Sequence, residues 1–197
     1  MRRKIWAAVA VVVLLSLVSL LARVRIREGA YDLAIEPAFQ GDYREAVCVI
    51  GGKPRTVRSS GCGAVCAFMA IRHLTGADEP DPQTLFFDAY ESGAYTGNGL
   101  SHEAVSRMLC ENGVAAKWIG RSGWRILNAI RAGKPVIAHM GPGTFTDNGH
   151  YILLTAVTEE GLVEVNDPGS RARTGQAYAL DLIMQEAKTN RPFCVCG

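Results

Sequence analysis

Cys62 lies between two glycines, in Ser59-Ser60-Gly61-Cys62-Gly63, just ahead of a run of helix-forming residues. A cysteine in the first turn of a helix faces free backbone N–H groups and the positive end of the helix dipole, which favour a thiolate. Such a sulfur can attack a carbonyl carbon with backbone donors near the developing oxyanion. Gly61 and Gly63 would leave room for a substrate backbone to approach. An isolated cysteine is more often a buried structural thiol, so the case depends on a base. Four histidines are available: His73, His102, His139 and His150. His73 falls about three turns along the Cys62 helix, near its C-terminal end, where a cation is favourable. His102 opens another helix after Ser101, and His139 closes an apolar strand. His150 differs, because it follows a glycine-rich loop and opens the apolar strand Tyr151 to Val157. Its ring is therefore expected at the rim of a cleft.

Antiparallel pairing of 151–157 with 162–165, across the Glu159-Glu160-Gly161 turn, brings Asn166-Asp167 back to the His150 end. Pro168 holds Asp167 extended. Its carboxylate is expected to accept from His150 Nδ1–H and to fix the imidazole's tautomer.

The surrounding elements follow from periodicity and punctuation. Cys62 to Leu74 reads as a helix with Val65, Cys66, Met69, Ala70 and Leu74 on one face, closed by Gly76. Asp81-Pro82 reads as N-cap and first residue of a second helix that buries Leu85, Phe86 and Ala89. A third runs from Ser101 to near Gly113 and a fourth over 122–132. Strands are expected at 47–50, 114–119, 135–138, 151–157 and 162–165, with a last helix over 181–187 and a terminal strand ending in Cys194-Val195-Cys196. Helices precede strands, an α+β order with a helical half and an antiparallel sheet.

Taken together, Thr56-Val57-Arg58-Ser59-Ser60-Gly61-Cys62-Gly63-Ala64, Gly97-Asn98-Gly99-Leu100-Ser101, Gly133-Lys134-Pro135-Val136-Ile137-Ala138, Gly149-His150-Tyr151 and Val165-Asn166-Asp167-Pro168 resemble the blocks of the C39-like peptidase family. These are papain-like cysteine peptidases related to the leader peptidases of bacteriocin exporters. The resemblance covers about residues 56 to 170. It implies a papain-like fold, Cys62 as nucleophile, His150 as general base and acid, and Asp167 as orienting residue. Gly99 and Gly149 join Gly61 and Gly63 as substrate-cleft candidates. Two departures stand out. Ala64 replaces the Pro that many relatives carry after Cys-Gly. The leader peptidases place an oxyanion-hole Gln about six residues before the nucleophile, where this chain has Thr56; the nearest upstream Gln is Gln40. Ser59 and Ser60 hydroxyls are the candidates to substitute. An exporter role is not implied, because the chain has one hydrophobic span and no nucleotide-binding motif.

Ile5 to Ala22 is an uncharged apolar run of about 27 Å as a helix, enough for a bilayer core. Arg2-Arg3-Lys4 precedes it and Arg23, Arg25 and Arg27 follow. A retained signal anchor fits better than a cleaved signal peptide, since no clean cleavage site follows the run. These flanks hold six of the 21 basic residues, leaving 15 Lys and Arg against 18 Asp and Glu from residue 29 onward. The body is thus mildly acidic and carries no footprint for nucleic acid. The expected organisation is an anchor over 1–27, a lead-in over 28–55, and a peptidase-like domain over 56–197, single-pass in the membrane and extracytoplasmic. Cys48, Cys110, Cys194 and Cys196 could form disulfides, a zinc site or free buried thiols, and Cys66 belongs to the core. No cofactor or metal is expected. The leading expectation is hydrolysis of a peptide or isopeptide amide through a Cys62 acyl-thioester. The alternatives are a weak or inactive papain-like binding module at the cell surface, and an acyl or amine transferase using the same three residues.

Overall fold

The structure, a computed structural model, describes residues 29–97 and 99–197. The apolar run Ile5 to Ala22 lies outside them. Among the described residues, no helix is long and apolar enough to cross a membrane.

The helical half comprises α1 (Val57–Ser60), α2 (Cys62–Thr75), α3 (Pro82–Glu91) and α4 (His102–Glu111). The caps read from sequence are in place: Asp81 accepts from Thr84 N–H, Ser101 accepts from Ala104 N–H, and Gly76 closes α2 at φ 74°. The burial of α2 exceeds its sequence pattern. Every residue from Gly63 to Ile71 is buried, so the helix is enclosed on all sides rather than along one stripe. It packs against α3, α4 and the sheet. Small residues permit this. A Cβ at Gly63 would sit 3.1 Å from both Leu100 and Tyr151 side chains and 3.2 Å from Val105.

The sheet half contains β4 (Ala116–Ile119), β5 (Val136–Met140), β6 (His150–Val157), β7 (Val163–Asn166), β8 (Gln176–Tyr178) and β9 (Phe193–Cys196). Its order is β4-β9-β5-β6-β7-β8, with β1 (Tyr31–Asp32) also pairing with β6. All of these pairings are antiparallel. Helices α5 (Gly123–Arg131) and α6 (Leu180–Glu186) complete this half. Residues 153–157 pair antiparallel with β7, with an irregularity in register between Leu154 and Ala156. His150 itself belongs to the strand, opposite Met140.

The segment read as a polar lead-in is built into the domain. Its Leu33 and Ile35 are buried in the core, where each such side chain contributes roughly 1.5–3 kcal/mol. From Tyr31, paired with Val157, the chain runs back along β6: Leu33 N–H donates to Thr155 O, and Asn166 Nδ2 donates to Ile35 O. It reaches Gln40, whose N–H donates to Pro168 O. A two-stranded hairpin, β2 (Cys48–Ile50) and β3 (Lys53–Arg55), then leads to α1.

The six cysteines are free thiols. Cys194 and Cys196 are buried two residues apart in β9, Cys48 lies in the separate hairpin, and Cys110 is exposed. No group of three or more metal-ligating side chains gathers among the described residues.

Candidate active site

Cys62 is the first residue of α2, and Gly61 makes no side-chain cap there, so the first turn's N–H groups are not capped from that position. His150 starts β6 and Asp167 directly follows β7, so the hairpin delivers both to one end of the sheet. The imidazole is hydrogen-bonded to Asp167 and lines one cleft with Cys62, so the site joins the two halves of the domain. His150 Nε2 lies 2.7 Å from Asp167 Oδ1. This corrects the expected use of Nδ1. The nitrogen distal to the backbone is the one that reaches the carboxylate at the end of β7, so Nε2 rather than Nδ1 makes the bond.

Asp167 is fully buried, and its carboxylate is satisfied on all sides. Gly169 N–H donates to Oδ1 at 2.7 Å, and Arg173 Nε donates to Oδ2 at 2.6 Å. Burial alone would raise its carboxyl, but the bonds from His150, Arg173 and Gly169 outweigh it and hold it below the ordinary carboxylate range. Burial likewise works against the His150 imidazolium. The hydrogen bond to Asp167, the neighbouring Cys62 and the negative charge of each outweigh it and hold His150 up to about 9. The arrangement therefore favours an imidazolium at neutral pH, anchored on one side and facing a sulfur on the other.

The other histidines are engaged elsewhere. His102 Nε2 and His139 Nδ1 lie 2.9 Å apart, and His102 stacks on Trp118 with ring centroids 3.6 Å apart. Burial, then the charges of His102, Lys188 and His150, lower His139 to about 4, so it is neutral at physiological pH. His73 sits in the last turn of α2.

Cys62 and His150 open onto a cleft of about 500 Å³. Ser59, Ser60, Gly99 and Gly149 line it, as does Gln40. Gly61 and Gly63 do not have the expected role. A Cβ on Gly61 would fall 2.6–2.9 Å from Val57, and Gly63 is packed against Leu100, Tyr151 and Val105, so both serve close packing of α1, α2 and their neighbours. The Ser59 hydroxyl is held in the α1 capping box with Thr56, donating to Thr56 O at 3.0 Å, and lies 3.2 Å from the Ser60 hydroxyl.

Three further residues join the site. Gln40 reaches the cleft although it is far from Cys62 in the chain, because the β2–β3 hairpin occupies the intervening residues. Its Nε2 donates to Arg58 O at 2.8 Å, which orients the amide. Gly169 lies flat against the imidazole; a Cβ there would sit 3.1 Å from His150 Cε1 and 3.3 Å from Asp167 Oδ1. Arg173, six residues after Asp167, had no signal beyond its charge.

The family model described as Peptidase_C39 like family matches residues 35–191. The chain belongs to this family. That match takes in most of the lead-in, in keeping with how residues 31–40 are packed. Among curated proteins, none matches this chain. Solved structures share the fold. A Bacillus anthracis protein assigned as a C39-like peptidase superposes with a TM-score of 0.63 at 12% identity, covering 86% of this chain and 98% of its own. The peptidase domain of Streptococcus ComA, a bifunctional ABC transporter involved in quorum sensing, gives 0.52 at 13% identity, covering 70% and 90%. The α+β, papain-like architecture read from the sequence is thus the architecture of the family.

Proposed function

We propose that the protein is an active cysteine peptidase that cleaves a peptide or isopeptide amide through an acyl-thioester on Cys62. The observation that carries this reading is the imidazole of His150, bonded to the buried carboxylate of Asp167 and sharing one cleft with Cys62 at the start of α2. In the first half-reaction the Cys62 sulfur forms a bond to the substrate carbonyl carbon. The C–N bond breaks as His150 gives its proton to the departing amine. In the second, His150 takes a proton from water, the resulting hydroxide displaces the sulfur, and the acid product leaves. Asp167 stays ionised throughout and orients the ring.

The Cys62 N–H at the α2 N-terminus and the Gln40 side chain are the oxyanion donors in this proposal. One amide hydrogen of Gln40 is committed to Arg58 O, which leaves the second for the cleft. Gln40 in the cleft supports this reading over that of an inactive binding module. We further propose that Ile5 to Ala22 anchors the protein in a membrane with the domain extracytoplasmic. Full-length protein in the soluble fraction of lysed cells would end that part.

Site-mapped alkylation tests the peptidase reading. Cys110, exposed on α4, serves as an internal reference thiol. With limiting iodoacetamide near pH 6, Cys62 should be modified much faster than Cys110, and His150→Gln should remove that advantage. Equal rates in the wild-type protein would overturn the reading.

A further inference from the structure

Arg55, the last residue of the β2–β3 hairpin, lines the same cleft as Cys62 and His150. Its Nε is buried and has no hydrogen-bond partner. None of the ion pairs among the described residues includes it. Nor does the cleft supply a carboxylate to pair with it. Its described lining contains Lys188 as a second cation, and no Asp or Glu. Lys188 stands at the 141–149 loop, where its Nζ donates to Asn148 O at 3.3 Å.

A guanidinium has five donors in a rigid fork, and a half-buried one without an acceptor carries a desolvation cost that an incoming anion would relieve. Arg55 Nη2 lies 4.0 Å from the Cβ position of Gly97, and Ile50 of the hairpin lies 3.4 Å from the same point. Gly99, also in the cleft wall, has nothing within 4 Å of its Cβ position, so this side is open to a ligand.

We propose that Arg55 forms a carboxylate-binding subsite that selects peptides bearing an acidic group close to the scissile bond. The planar fork of the guanidinium suits bidentate capture of a carboxylate. The same chemistry is offered by an Asp or Glu side chain and by a free peptide C-terminus. The proposal rests on the peptidase reading, and its test is arranged so that the two can fail separately.

Full-length protein in detergent is assayed with matched peptide sets: C-terminally amidated peptides with Glu or Gln scanned across each position, and neutral peptides with free or amidated C-termini. Glu peptides should exceed their Gln counterparts by about tenfold in kcat/KM at one position, or free C-termini should exceed amidated ones, which identifies the source of the carboxylate. Arg55→Gln should abolish the ratio, Arg55→Lys should keep part of it, and Arg55→Glu should reverse it toward Lys peptides. A wild-type ratio near one in both sets, or a ratio that survives Arg55→Gln, overturns the subsite. Protection of Cys62 from iodoacetamide by the same peptides gives a readout independent of turnover. Protection by Glu but not Gln peptides, without cleavage, upholds the subsite and counts against the peptidase. Cleavage without discrimination does the opposite.

Discussion

Asp167→Asn isolates what the buried carboxylate does for His150. An ordinary imidazole titrates near 6.5 and His150 is held up to about 9. That difference corresponds to roughly 3 kcal/mol in favour of the charged ring. Burial opposes it, so the contributions of Asp167 and Cys62 together exceed this figure. With two negative partners sharing it, removing the Asp167 charge should forfeit about half, roughly 1.5–2 kcal/mol, or about 1–1.5 pH units. The amide keeps the size of the side chain, but its NH2 must replace one carboxylate oxygen and then opposes a donor, either His150 Nε2–H or Arg173 Nε–H. Some stability is therefore lost as well, and a thermal melt should confirm folding first. The measurement is an NMR titration of the histidine Cε1–H signals, with His150 assigned by its disappearance in His150→Gln. Wild-type His150 should titrate near 9, and in Asp167→Asn near 7.5–8. A folded variant in which His150 titrates within about 0.3 units of wild type would refute the argument, leaving Cys62 as the sole cause.

Gln40→Ala should lower kcat on an amide substrate by about a hundred- to a thousand-fold, the cost of one oxyanion donor. Alkylation of Cys62 forms no oxyanion and should be little affected, so parallel loss in both assays would point to misfolding instead. Gly169→Ala places a methyl 3.1–3.3 Å from His150 and Asp167. It should slow Cys62 alkylation at neutral pH while changing the thermal midpoint by only a few degrees, and an unaltered alkylation rate would show that the contact is slack. Because the folded His150 is raised above its unfolded value, its stabilising contribution is complete below about 6.5 and is lost as pH rises through about 9. Urea unfolding should therefore show roughly 2–3 kcal/mol of pH dependence across that window, absent in His150→Gln.

The parts of the site legible in the sequence were those carried by local rules. The start of α2, the caps at Asp81 and Ser101, and the return of Asp167 beside His150 each follow from a few neighbouring residues. What was not legible depends on distant packing. The enclosure of α2 shows in sequence only as small residues between larger ones, because a stripe pattern reports one buried face and cannot report three. Gly61 and Gly63 were read as space for a ligand, yet Val57 and Leu100 occupy the volume beside them. Gln40 was set aside for its distance in the chain, although residues 31–40 run beside β6 and end near Cys62. The choice between the two nitrogens of His150 depends on where the ring lies relative to α2 and β7, which no local pattern encodes.

The register of β1 has a consequence for how the domain would be held. Tyr31 faces Val157, the last residue of β6, while His150 is the first. Seven residue steps along that strand span about 23 Å. The polypeptide thus enters the described domain at the pole opposite the cleft, and only then travels along β6 to bring Gln40 to Cys62. If the first 27 residues tether the protein to a bilayer as proposed, the point of attachment and the mouth of the cleft lie at opposite ends of one central strand. A peptidase held by its base in this way would reach for polypeptide above the lipid surface, rather than bonds at the headgroups.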